Sequence, residues 1–164
     1  VYDKTGIFSD LPSTAATQKY RRVLLRKKMK AEGAFSKLLG DIQIELLQAM
    51  DRVPKKLFEN RFWGDCGYIH LCFDTLDMET LQAELKTKGY PFTVDSGTSF
   101  GMDAAAGRFA YVEDPDGTLI ELVETHKVPV LKKLGWFLNI KKGGNQKPLK
   151  DWMLKAMALN RVKN

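Results

Sequence analysis

Three residues of this chain have side chains suited to chemistry in settings where such side chains are costly: Glu45 in "GDIQIELLQ", His70 in "GYIHLCF" and Glu121 in "GTLIELVE". Each lies within a run rich in apolar residues that reads as a β-strand. A lone buried carboxylate is expensive, so it pairs, takes up a proton or binds a metal. Imidazole together with carboxylates suits a divalent ion such as Zn²⁺, Ni²⁺, Co²⁺, Mn²⁺ or Fe²⁺, without choosing among them. Taken singly, each residue has a plainer reading, as a hydrogen-bonded structural histidine or a glutamate on a solvated strand face. The set says more than its members, because the two glutamates end corresponding runs of strands and the histidine opens the second run.

The elements that must position these residues are clearest in the second half. Residues 68–74 read as a strand, in which alternation groups His70 with Tyr68 and Cys72. Asp77 can cap a helix in which Met78, Leu81 and Leu85 recur at helical spacing until Gly89 ends it, with Glu84 and Lys88 as an i,i+4 pair. A short strand over 91–95 and a Gly/Ser/Ala-rich loop over 96–106 lead to a strand over 107–113, with Phe109 and Tyr111 on one face. Asp114-Pro115-Asp116-Gly117 suits a type I turn with Pro second and Gly fourth, so 118–124 returns antiparallel. Alternation there groups Glu121 with Leu119 and Val123 and turns Glu124 to the opposite face, which makes Glu124 the control for Glu121. The order is βαβββ.

The first 60 residues repeat the last three strands of that unit. Residues 1–8 alternate weakly, 9–18 are turn-rich, 20–27 read as a strand with an amphipathic helix through Lys30 as the alternative, and 41–50 form the strand in which Glu45 shares a face with Gln43 and Leu47. Residues 53–60 suggest one or two helical turns and 61–67 a loop. The expected fold class is α+β, with a partial first module over 1–60, a second over 61–126 and a basic C-terminal extension over 127–164. In that extension Leu149, Trp152, Met153, Ala156 and Met157 form a helical stripe suited to packing back on the sheet.

Composition bounds the function classes. The chain has 164 residues, 44% hydrophobic and 28% charged, ordinary for a globular protein. No apolar run approaches the roughly 20 residues that span a bilayer and no signal segment opens the chain, so no membrane role and a cytoplasmic location are expected. Cys66 and Cys72 fit neither a disulfide framework nor a zinc ribbon and read as free thiols. Of the net charge of +6, residues from Lys127 onward supply +9, which leaves −3 for residues 1–126. The basic lysines of the tail are scattered and carry no nucleic-acid motif, so they read as solvated surface. His126, in "ETHKVP", reads as a surface residue.

The βαβββ unit, the strand-borne His of "GYIHLCFD", the "EDPDGTLIELVE" ending and the "IELLQ" ending of the preceding half resemble the vicinal oxygen chelate superfamily, which includes glyoxalase I, methylmalonyl-CoA epimerase, extradiol dioxygenases and bleomycin- or fosfomycin-resistance proteins. The resemblance covers roughly residues 1–125 and implies paired modules forming a curved, incomplete barrel around one metal. It implies Glu45, His70 and Glu121 as metal ligands, with a fourth on an opening strand that the first module lacks. Dioxygenases and fosfomycin enzymes of the superfamily have no ligand at the Glu45 position, whereas glyoxalase I and the epimerase have Glu or Gln there.

The resemblance therefore favours a metal-dependent lyase or epimerase acting on a small oxygen-rich molecule, with Glu121 or Glu45 taking the proton next to a metal-bound carbonyl. The alternative is a metal-free small-molecule binding module, and less favoured is a ring-cleaving dioxygenase. The chain opens on Val1 rather than Met, and about 40 to 60 residues bearing a βα unit with a His or Glu are expected upstream in the parent protein. The strand edge that this leaves open, together with the superfamily's habit of completing barrels across subunits, predicts a homodimer.

Overall fold

The computed structural model describes residues 2–12, 17–28, 32–56, 59–60, 62, 64–97, 100–102, 105–140 and 147–160. Val1 of the first expected strand, Lys30 of the alternative helix, and Arg61 and Trp63 of the expected loop lie outside them. The chain divides into two compact units, Val1–Lys30 with Leu38–Leu57, and Ala31–Lys37 with Phe58–Asn164.

The first unit is an antiparallel sheet of β1 (Tyr2–Gly6), β2 (Tyr20–Lys27) and β3 (Ile42–Ala49), with β2 central. These are the expected strands ending in Glu45, and 20–27 is a strand rather than a helix because β2 is hydrogen-bonded along both edges. The register aligns Tyr2, Leu24 and Glu45 in one row. Alternation then sends Arg21 to one face, where it forks onto Asp3 at 3.0 and 2.7 Å, and Arg22 to the other. The expected helical turns after β3 are absent over residues 53–56, and Leu57 and Phe58 lie outside the described residues.

The second unit contains β4 (His70–Asp74), α1 (Met78–Thr87), β5 (Val94–Asp95), β6 (Phe100–Met102), β7 (Ala105–Glu113), β8 (Leu119–Leu131), β9 (Trp136–Asn139) and α2 (Asp151–Met157). Its sheet runs β4-β8-β7-β5, with β6 also on β7 and β9 on β8; β4 and β8 are parallel and the other pairs antiparallel. Neither sheet closes on itself, and the class is α+β as expected. Asp77 caps α1 by accepting from the Thr80 N–H at 3.1 Å, Gly89 leaves it at φ +87°, and Lys88 pairs with Glu84 at 2.6 Å. The helix stripe of Met78, Leu81 and Leu85 packs on Ala110, Val112 and Leu122 of β7 and β8. Met78 is fully buried, a contribution of about 1.5–3 kcal/mol. At the hairpin, Gly117 donates to the Asp114 carbonyl at 2.9 Å, and the Asp114 side chain accepts from Asp116 and Thr118.

Several boundaries differ from the expected ones. β4 begins at His70 rather than 68, and the 96–106 segment contains β6. β8 does not stop at 124 but continues through Pro129 to Leu131. A strand tolerates proline beside a bulge, and the β8–β9 register shifts between Pro129 and Leu131. Asn160 covers this stretch by donating to the Pro129 and Val130 carbonyls at 3.2 and 3.1 Å. The tail stripe does pack back, with Leu149, Met153 and Met157 joining Val128 and Ile140 in a second core. Trp152 instead stacks on Trp136, with centroids 5.6 Å apart.

A further bulge lies where Ala106 faces Lys127 but Gly107 faces Thr125, so His126 is the extra residue of β8. A Cβ on Gly107 would stand 2.6 Å from the Glu124 carbonyl oxygen, a contact with backbone that cannot swing away. Gly107→Ala is therefore expected to destabilise the protein by about 3 kcal/mol in urea unfolding, while Gly101→Ala, with nothing within 4 Å of its Cβ, changes far less.

Candidate functional site

The hairpin geometry builds the site on one face of the second sheet. Counting back from the Asp114–Gly117 turn sets Tyr111 opposite Glu121, and the parallel strand β4 sets Cys72 on the other side of Glu121. The three side chains form one row, with His70 a step along β4. The His70 Nε2 is 3.0 Å from Glu121 Oε2, and the Tyr111 hydroxyl donates to Glu121 Oε1 at 3.0 Å. The Tyr111 ring also meets His70 edge-on at 5.6 Å and Phe109 at 5.9 Å. His70 and Glu121 are partly open to solvent, at 23% and 19% of their side-chain surfaces, so a small molecule can reach them.

Burial, then the hydrogen bond to Glu121, pushes the Tyr111 phenol up to about 12. It therefore stays protonated near neutral pH and is a constant donor to the carboxylate. The Cys72 thiol is pushed up to about 11, first by loss of water around the sulfur and then by Glu121, to which it hydrogen-bonds. It is accordingly a neutral neighbour and not a nucleophile. Both cysteines are free, as expected.

The pair of His70 and Glu121 suits a divalent cation. Both are side chains of ligand type, and their 3.0 Å separation is that of an ordinary N–H···O hydrogen bond. Among the described residues no group of three or more His, Cys, Asp or Glu side chains is arranged to hold a metal ion. Glu45 belongs to the first unit, where its carboxylate accepts from Arg22 Nε at 2.6 Å.

The opposite face of β8 corrects two expectations. Glu124 is 3% exposed and His126 is mostly buried, because that face lies under α1 rather than in solvent. Glu124 Oε1 accepts from the Met78 N–H at 3.3 Å at the start of α1, and Oε2 is 2.6 Å from His126 Nε2. Glu124 is thus a core anchor and does not serve as a control for Glu121. Nearby, Arg108 forks onto Asp95 at 3.0 and 2.5 Å and donates to Gln82 at 2.9 Å, tying α1 to β5.

The sequence puts forward His70 and Glu121 as candidates, but not the partners of Glu121. Tyr111 was within reach, since the turn alone sets its register; Cys72 and Arg22 required the pairing of strands that are distant in the chain. A search of curated proteins and a search of solved structures each found no significant match. A family model for the Glyoxalase/Bleomycin resistance protein/Dioxygenase superfamily matches residues 16–122, a span that includes Glu45, His70 and Glu121. With strand order, hairpin and matched span in agreement, the chain belongs to the Glyoxalase/Bleomycin resistance protein/Dioxygenase superfamily.

Proposed function

We propose that the protein is a glyoxalase-I-like lyase or epimerase that moves a proton next to a carbonyl of a small oxygen-rich molecule. The reading rests on one observation, the 3.0 Å approach of His70 Nε2 to Glu121 Oε2. A divalent metal (Zn, Ni, Co, Mn or Fe) held by His70 and Glu121 would polarise the substrate carbonyl and acidify the adjacent C–H. Glu121 is the proposed base, because Glu45 is engaged by the Arg22 guanidinium whereas Oε2 of Glu121 faces a histidine that can release it. Tyr111 keeps Oε1 in place, which orients Oε2 for the transfer.

A metal-free small-molecule binding module is the second reading, favoured by the Arg22–Glu45 ion pair and by the lack of a three-donor cluster among the described residues. Superfamily members commonly bind small molecules and form dimers, and we propose a homodimer here as well. Leu25 and Leu46, on the face of the first sheet opposite Glu45, are exposed, and their burial would favour association. Among the described residues no helix is long and apolar enough to cross a membrane. The free thiols accord with the proposed cytoplasmic location.

Metal titration tests the chemistry. A metal at 100 times its Kd is expected to stabilise the fold by about 2.7 kcal/mol, and light scattering on the same sample should give the mass of two chains. Less than about 0.1 ion per chain, with no thermal shift, would leave the metal-free reading in its place.

A further inference from the structure

One face of the first sheet holds a groove of about 520 Å³ lined by Tyr2, Arg22, Leu24, Arg26, Gln43 and Glu45. Register and alternation assemble it: Tyr2, Leu24 and Glu45 share a row, while Arg22, Arg26 and Gln43 lie two residues along β2 or β3 on the same face. Its volume falls in the range of roughly 300–1,000 Å³ usual for small-molecule sites.

The two arginines have different roles. Arg22 Nη1 reaches both oxygens of Asp10 at 3.0 and 2.7 Å, Nε holds Glu45, and the guanidinium lies over the Phe8 ring at 5.2 Å. Its charge is therefore met within the protein. Arg26 is exposed and uses only Nε, which donates to Gln43 Oε1 at 3.0 Å. That bond sets the plane of the guanidinium and leaves the terminal amino groups free of partners among the described residues. Two parallel donors on a fixed plane match a carboxylate. Leu24, midway between the arginines on β2, and the ring of Tyr2 beside it offer an apolar floor between that anion position and Glu45.

We infer that this groove binds a small organic acid, with the carboxylate on Arg26 and the aliphatic body over Leu24 and Tyr2, toward Glu45. The inference goes beyond the reading above, since every residue of the groove belongs to the first unit. Inorganic phosphate would satisfy the guanidinium but not the apolar floor.

The test uses the full chain in EDTA, so that metal binding plays no part. Amide chemical shifts are followed during titration with 4-methyl-2-oxopentanoate, with the uncharged ketone 4-methyl-2-pentanone and with inorganic phosphate. The acid is expected to bind at least about tenfold more tightly than the ketone or phosphate. Arg26→Gln should weaken the acid by at least about tenfold, Arg26→Lys should keep part of the affinity through its charge, and Arg21→Gln, on the opposite face, should leave it unchanged. Equal binding of acid and ketone, equal binding of phosphate, or an unaltered Arg26→Gln variant overturns the assignment. Circular dichroism of each variant checks the fold, and the lysine variant keeps a readout should Arg26→Gln unfold. Acid binding without metal binding would remove the proposed chemistry and leave the groove; metal binding without acid binding would do the reverse.

Discussion

Glu121→Gln is expected to lower kcat/KM for the proton-transfer reaction by about 10²–10⁴-fold, the usual contribution of a positioned general base. Divalent metal affinity should fall by at least about 10–100-fold, the loss that mutating even an outer partner of a ligand causes. The amide keeps the size of the carboxylate and can still accept from Tyr111 and donate toward His70, so the fold should lose no more than about 1 kcal/mol. This split between a large functional loss and a small stability loss distinguishes a working carboxylate from a structural one. Glu84→Gln, an exposed residue of α1 paired with Lys88, is the matched control. Unchanged metal affinity and turnover in Glu121→Gln would make the His70–Glu121 contact a plain structural hydrogen bond.

Glu124→Ala is expected to have the largest effect on stability, a loss of about 3–5 kcal/mol. The carboxylate is 3% exposed and meets the first N–H of α1 and the His126 ring, so truncation leaves both without a partner in a dry place. Glu124→Gln preserves shape and should cost less, about 1–3 kcal/mol. Urea unfolding of the two variants measures the difference, and a loss below about 0.5 kcal/mol in Glu124→Ala would show that the anchor is dispensable. Glu121 and Glu124 thus separate the two faces of β8: one carboxylate is open to a ligand, and the other fastens the helix that backs the sheet.

Much of the fold was legible because its signals are local. Asp77, the apolar spacing of Met78, Leu81 and Leu85, and Gly89 describe α1 within a dozen residues, and Asp114 to Gly117 forces the hairpin that carries Glu121. A strand period of two residues was enough to group His70 with Cys72 and to separate Glu121 from Glu124. Alternation says that two residues face opposite ways but not which way is wet. That is decided by where α1 packs, a contact made by residues more than forty positions from Glu124. The extent of β8 was hidden for a similar reason. Pro129 looks like a strand terminator, and only the pairing with β9, whose register shifts between Pro129 and Leu131, shows how the strand carries it.

The sequence by itself determined the strand and helix segments, the turn between β7 and β8, and the candidacy of Glu45, His70 and Glu121, because each depends on neighbours in the chain. Only the tertiary structure decided that β4 lies parallel beside β8, which brings His70 within 3.0 Å of Glu121, and that Arg22 meets Glu45. Strand pairing between distant segments is a choice among many registers, settled by which apolar faces can be buried together, and no single stretch of sequence contains that sum.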